Sequence, residues 1–488
     1  MRTRLGVLVG ALLAACTFPF AVGAADAESR ELTARLLTLG SARKLEPAQL
    51  AFSIVGPDGT VIAEHRSEEP EPPASNVKLL TAVAALDLLG PDFEVSTELW
   101  RTGLVRNGVL EGDLIVRGRG DPSISGRFHR GDIFGPLRPW VAVLGELGIE
   151  RVSGRLLCDD RYFSGPSVHA DWPSEQLDRW YCAPSGALNL NDNCVDVHIA
   201  PRVGAQEVRV WLEPSCARFE IVNQLRSVVQ RKQHVYSVER ATGSWRIDLR
   251  GGFLASGTER TEWVAVPDPT DWFGCALQTF LESEGIGFGG GVGRLEDAAA
   301  VADAVLVAST QASVASMLPS MLKRSLNLYA DCLLRIVGKE RGAGGSFEQG
   351  ADCVRSHLVR LGIAREGVVV RDGSGLSAKN RASAATLVRA LRHARATPWF
   401  PVLRDALAVA GADGTLRSRF ASSPVAGKVL AKTGHIDGVS TLAGYLTTGG
   451  GDVTFAFLFR GPVARTAAAR NWQEEAIEIV WRALEGAR

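Results

Sequence analysis

The chain has 488 residues, of which 46% are hydrophobic and 22% charged. Those proportions exclude a disordered polymer and a mostly membrane-embedded chain, and the length suits roughly three domains. The 54 basic residues are cancelled by 54 acidic ones, so no global field draws in nucleic acid or an anionic membrane surface, and neither is expected as a partner.

Met1-Arg2-Thr3-Arg4 and the apolar stretch Leu5 to Ala15 have the build of a secretory signal. Residues 1–24 therefore read as a signal peptide, and the mature protein as exported and periplasmic. Val22-Gly23-Ala24 suits ordinary signal peptidase, whereas Leu13-Ala14-Ala15-Cys16 resembles a lipoprotein box. Membrane contact is expected only if Cys16 is lipidated or the signal stays uncleaved. Seven further cysteines, at 158, 182, 194, 216, 275, 332 and 353, show no metal-site spacing. In an oxidising compartment some should pair, and the odd count leaves one free. No metal or other cofactor is expected.

A helix over Glu28 to Leu39 precedes two β-rich runs, Leu50 to Val55 and Thr60 to His65, joined by Gly56-Pro57-Asp58-Gly59. This is the signal of a hairpin. After a Pro-rich loop, Asn76 to Leu89 is apolar on nearly every face and stops at Gly90-Pro91, as a buried core helix does. Ser75 and Lys78 stand at its first turn. At positions i and i+3 both side chains leave one face of the helix, so the amine can remove the proton of the hydroxyl. Ser75 is the candidate nucleophile and Lys78 the candidate base. About one Ser-x-x-Lys is expected by chance in such a composition, and a surface Ser beside a solvated Lys is the plain alternative. The neighbours Leu79, Leu80 and Val83 favour a desolvated amine with a lowered pKa.

Between this helix and the next motif run strand-like pieces punctuated by Gly and Pro: Gly112 to Gly118, Val208 to Leu212, Trp245 to Leu249 and Glu262 to Val266. Residues 101–298 read as an inserted, mostly β region of one or two modules. Helical patterns return over Met317 to Val337 and Phe347 to Leu361. Within the first lies Ser325-Leu326-Asn327, which offers a hydroxyl for proton relay and a carboxamide able to hold a substrate amide. Taken alone, Asn327 could equally be a cap or a turn residue. Three strands, Gly427 to Thr433, Val439 to Thr447 and Asp452 to Phe459, precede a closing helix over Ala467 to Leu484. The first strand ends in Lys432-Thr433-Gly434, for which only about a tenth of a match is expected by chance. Lys432 supplies charge for a substrate carboxylate, Thr433 a hydroxyl, and Gly434 room for a ligand backbone beside the strand.

The hairpin and these last strands are expected to form one antiparallel sheet with helices on both faces. Only eight of the basic residues are Lys, and two of them fall in these motifs. Arg cannot give up its proton at accessible pH, whereas a buried Lys can.

The order Ser75-x-x-Lys78, Ser325-x-Asn327, Lys432-Thr433-Gly434 resembles the low-molecular-mass class C penicillin-binding proteins, the D-Ala-D-Ala carboxypeptidases and endopeptidases of peptidoglycan. The likeness extends to Gly118-Arg119-Gly120-Asp121-Pro122, Ala183 to Asn189, Asp372-Gly373-Ser374-Gly375-Leu376-Ser377 and Gly438 to Tyr445. It implies an α+β, β-lactamase/transpeptidase-like domain formed by residues 25–100 and 299–488 around the 101–298 insertion. It also implies a serine peptidase acting on peptidoglycan stem peptides through an acyl-enzyme, and acylated by β-lactams. Ser75 would be acylated with Lys78 as base, Ser325 and Asn327 would complete proton transfer and substrate holding, and Lys432 would bind the terminal carboxylate. The backbone N–H groups of Ser75 and His435 would form the oxyanion hole.

Two departures stand out. His435 puts an imidazole where the family commonly has the hydroxyl of Thr, and Ala378-Lys379 stands where many relatives have Arg. Asp372 and Ser374 could be site residues, but Asp-Gly-Ser-Gly is equally an ordinary tight turn, and neither is counted in the catalytic set. Two other readings remain open: a β-lactamase or esterase-like hydrolase with the same site, and a non-catalytic wall-binding protein.

Overall fold

The computed structural model describes residues 20–201, 207–297 and 301–486, without the side chains of 20–26 and 128. Residues 1–19 of the expected signal segment, including the Leu13-Ala14-Ala15-Cys16 box, lie outside the described residues. Among the described residues no helix is long and apolar enough to cross a membrane.

Among the described residues ten α-helices follow in chain order: α1 (Phe20–Ala42), α2 (Val77–Leu88), α3 (Arg138–Glu146), α4 (Pro269–Ser283), α5 (Val314–Leu322), α6 (Asn327–Arg341), α7 (Phe347–Arg360), α8 (Ala384–Arg395), α9 (Phe400–Asp405) and α10 (Thr466–Gly486). The expected antiparallel sheet is present and has six strands. Its order is Ala408–Val409, Val429–Ile436, Val439–Thr448, Gly451–Arg460, Leu50–Val55 and Val61–His65, every neighbour antiparallel. The first and last parts of the chain thus share one sheet.

Leu50–Val55 is buried along its whole length because both faces of the sheet are covered. Leu50, Phe52 and Ile54 point to the layer made by α1 and α10, where Phe52 meets Trp472 with ring centroids 5.9 Å apart. Ala51 points the other way, into the core formed with α2, α5, α6, α7 and α8. Alternation along a strand sends neighbouring residues into different layers. Helix α2 lies inside that second layer, buried continuously from Val77 to Leu86, which is why its sequence shows no polar stripe.

The single helical pattern expected over Met317 to Val337 is two helices. Helix α5 ends at Leu322, and α6 begins at Asn327 after a turn in which Ser325 has φ +62°. The break is held by the Leu326 N–H donating to the Ser320 carbonyl and by Lys323 pairing with Asp413. Apolar periodicity hid it because both helices bury Met317, Met321, Leu328 and Leu333 in one core.

Residues 101–298 carry their own core around Trp140, Trp272, Phe273 and Leu249. The strands flanking that stretch, Glu94–Arg101 and Val305–Ser313, pair with each other and close its five-stranded sheet. A four-stranded sheet, two three-stranded sheets and a Cys216–Cys275 disulfide complete the region. Cys158, Cys182, Cys194 and Cys332 are buried thiols, and Cys353 is partly buried. One segment of the region crosses back over the helical layer: Phe163 and Trp172 are buried in the core of α2, α6 and α7.

Candidate active site

Ser75 lies in a 3-10 turn, Ala74–Asn76, that runs directly into α2. The residue before it, Ala74, has φ +46°, a left-handed conformation that a non-glycine residue keeps only where its surroundings impose it. Two glycines provide those surroundings. A side chain on Gly375 would stand 1.9 Å from the Ala74 carbonyl oxygen, and one on Gly434 would stand 3.0 Å from the Ser75 nitrogen and 2.1 Å from Thr441 Oγ1. Thr441 Oγ1 in turn donates to the Pro73 carbonyl at 2.9 Å. Gly434, expected to make room for a ligand, makes room first for the turn that carries Ser75.

Within this frame Ser75 is partly exposed, while Lys78 and Lys432 are fully buried. Lys78 Nζ donates to Ser75 Oγ at 3.1 Å, to Asn327 Oδ1 at 2.7 Å and to the Ser374 carbonyl at 2.7 Å. Burial pushes Lys78 down to about 8, against the pull of Asp331 and Asp372 in the opposite direction. Lys432 Nζ donates to Ser325 Oγ at 2.9 Å and to the Thr433 carbonyl at 2.6 Å. Burial, reinforced by the nearby charge of Lys78, holds it well below its ordinary range. The three motifs, separated by 250 and 107 positions, therefore converge on two hydroxyl–amine pairs, Ser75–Lys78 and Ser325–Lys432, with Asn327 beside the first.

Asn327 is fixed from its other end, Nδ2 donating to the Tyr181 carbonyl at 2.7 Å. Thr433 Oγ1 donates to Thr415 Oγ1 at 2.9 Å. The His435 side chain is exposed and its Nδ1 lies 3.1 Å from the Val439 carbonyl, so the ring folds back on its own hairpin. Lys379 reaches out to Asp171 at 2.5 Å, and Arg371 pairs with the same carboxylate at 3.0 Å.

Sequence reasoning missed the acidic layer beneath the amines. Asp331, fully buried, accepts from the N–H groups of Gly373 and Ser374 at 2.9 and 3.1 Å. Burial and Asp372 raise its pKa well above the carboxylate range, while Lys78 opposes them. Asp372 accepts four bonds, from Gly375 N–H, Asn380 Nδ2, Ser377 N–H and Trp172 Nε1. The Asp-Gly-Ser-Gly string is a turn, as expected, but its Ser374 carbonyl is a partner of Lys78. A signal for Asp331 existed: it lies four residues after Asn327 and so on the same face of α6. Asp372 stands in a string that the sequence singles out as a turn, whereas nothing local marks Trp172.

A family model described as D-Ala-D-Ala carboxypeptidase 3 (S13) matches residues 36–482. A D-alanyl-D-alanine carboxypeptidase of an Actinomadura species is 31% identical over 407 residues, 80% of this chain and 73% of that protein. Another, from Haemophilus influenzae, is 28% identical over 408 residues, 82% of this chain and 83% of that protein. The crystal structure of penicillin binding protein 4 from Haemophilus influenzae superposes with a TM-score of 0.73 at 26% identity, covering 88% of this chain and 96% of that one. The resemblance read from the motifs and the α+β architecture are thus both borne out: the chain belongs to the D-Ala-D-Ala carboxypeptidase 3 (S13) family of serine peptidases.

Proposed function

We propose that the chain removes the terminal D-Ala of peptidoglycan stem peptides, using Ser75 as nucleophile and Lys78 as the base that activates it. The observation that carries this assignment is the three-way contact of a buried amine with Ser75 Oγ, Asn327 Oδ1 and the Ser374 carbonyl. A Lys held near 8 is partly deprotonated at working pH and can take the Ser75 proton as Oγ attacks the carbonyl of the penultimate residue.

The negative charge then developing on the carbonyl oxygen falls to the backbone N–H groups of Ser75 and His435, donors often worth several kcal/mol of barrier. Ser325 relays a proton to the leaving amine, with Lys432 as its partner at 2.9 Å. Asn327 holds the substrate amide, and the strand of Lys432, Thr433 and Gly434 receives the terminal carboxylate. Water completes the cycle by hydrolysing the ester on Ser75, with Lys78 again the base.

The same acyl-enzyme serves a D,D-endopeptidase that cuts a D-Ala crosslink, because only the leaving amine differs. β-Lactams are expected to acylate Ser75, in keeping with the solved relative being a penicillin-binding protein. Export fits the wall substrate and the basic-apolar start of the chain.

Fluorescent penicillin should label the native protein and fail to label Ser75→Ala. Incubation with a stem pentapeptide should release D-Ala. Penicillin labelling of the Ser75→Ala variant at the native rate would overturn the assignment. Rapid loss of the penicillin adduct within minutes would favour a β-lactamase, and binding of muropeptide without D-Ala release would favour a wall-binding protein.

A further inference from the structure

A second cleft, of about 380 Å³, opens beside the Ser325–Asn327 turn and is bordered by Arg324 and Leu326. The catalytic scheme uses none of its other walls. Two indoles stand out of the surface there, Trp180 at 42% and Trp263 at 55% exposure. Exposed tryptophans gathered at one concave place are uncommon on a protein that has no use for them.

The polar walls are equally specific. Asp196 lies directly across from Trp263 on the neighbouring antiparallel strand, so the two side chains share one face. Asp192 faces the cleft with Arg127 bonded to its Oδ2. It is carried there by three consecutive left-handed residues, Asn191, Asp192 and Asn193, with φ of 52°, 55° and 52°. Such a run costs energy at each residue and persists only where surrounding bonds impose it. Here they do: the Asn193 amide donates to the Pro184 carbonyl and to Asn189 Oδ1, and the Asn191 amide donates to Asp196 Oδ1. The strained run holds Asp192 at a wall that already carries Asp196 and two indoles.

The charges at the cleft cancel, with Asp192 and Asp196 set against Arg127 and Arg324. No ionic ligand is favoured by the balance. What suits apolar faces combined with acceptors and donors of both signs is a neutral ligand whose C–H faces can lie on indole while hydroxyl and amide edges meet the polar walls. An amino sugar has that form. It is also what the substrate brings with it, since a stem peptide is attached to the glycan strand. The cleft is within reach, because Asn327, next in the chain to Leu326, is two hydrogen bonds from Ser75 Oγ through Lys78. A peptide of four extended residues spans about 13 Å.

We infer that this cleft is a saccharide subsite, seating the amino sugar that bears the stem peptide whose end lies at Ser75. The inference rests on the reading of the catalytic centre given above. It makes the enzyme a reader of the glycan as well as of the peptide terminus, and Trp263 the main stacking platform.

The test compares N-acetylglucosaminyl-N-acetylmuramyl-pentapeptide with the free pentapeptide of the same sequence, on the full chain. The native protein should show a kcat/KM about tenfold higher for the glycosylated substrate. Trp263→Ala should bring that ratio close to one while leaving free-pentapeptide hydrolysis and penicillin acylation at native rates, and Trp263→Phe should restore most of it. Equal kcat/KM for the two substrates in the native protein would overturn the inference. So would a Trp263→Ala variant that keeps the preference, or one that loses both substrates together. Failure of the native protein to hydrolyse either substrate or to react with penicillin would instead strike the catalytic reading, and this inference with it.

Discussion

Gly434 has no side chain at the one place where a β-carbon would stand 3.0 Å from the backbone nitrogen of Ser75 and 2.1 Å from Thr441 Oγ1. The Val429–Ile436 strand and the turn that begins α2 therefore touch through bare backbone. Positioning of the proposed nucleophile is a property of the sheet as much as of the helix.

Gly434→Ala should accordingly displace the Ser75 turn or the strand. A shift of about 1 Å at a reacting group costs on the order of 10²-fold in rate, and overpacking a dense core costs about 1–3 kcal/mol. The penicillin acylation rate and a denaturant melt on the same sample check both effects. Native acylation in this variant would show that the contact does not set the nucleophile.

Acylation should depend on pH through Lys78, whose amine can serve as the proposed base only when neutral. With its pKa lowered to about 8, the rate should rise about tenfold per pH unit below 8 and level off above it. Stability has the same sign. The unfolded chain keeps this proton up to about 10.5 while the folded chain releases it near 8, so stability should climb between those values, with the full penalty present below 8. Lys78→Met should remove the climb and lower acylation by about 10²–10⁴-fold.

Asp331→Asn keeps an oxygen able to accept from the Gly373 and Ser374 N–H groups but removes the carboxyl that, when ionised, pulls the Lys78 pKa up. The acid limb of the pH–rate profile should move below 8. A limb that stays in place or moves up would show that Asp331 does not act on Lys78.

Trp172→Phe should delete the 2.9 Å bond to Asp372 and leave a buried carboxylate short of one donor. The expected cost is about 1–3 kcal/mol, read by urea unfolding. The bond joins residues 200 positions apart, so a neutral result would mean that the segment over the helical layer is not fastened there.

Removing the Cys216–Cys275 disulfide, which closes a loop of 59 residues, should cost about 2–4 kcal/mol. Both cysteines belong to the 101–298 core, away from Ser75 and Lys78. The double variant Cys216→Ala, Cys275→Ala should unfold at lower denaturant and still acylate at the native rate.

What the sequence determined by itself is whatever short-range geometry fixes. The Ser75 and Lys78 pair follows from helical spacing, the burial of α2 from its unbroken apolar composition, and the last strands from period-two runs between glycines. Tertiary structure alone decided the rest. The break that turns Ser325 into the site is invisible to periodicity, because the helices on both sides bury into one core. The pairing of Lys432 with Ser325, the contact of Asp331 with the Asp372 turn, and the Tyr181 carbonyl that fixes Asn327 depend on residues 107, 42 and 146 positions apart being pressed together. Burial and sheet register bring them there, and neither is written in any window short enough to read as a motif.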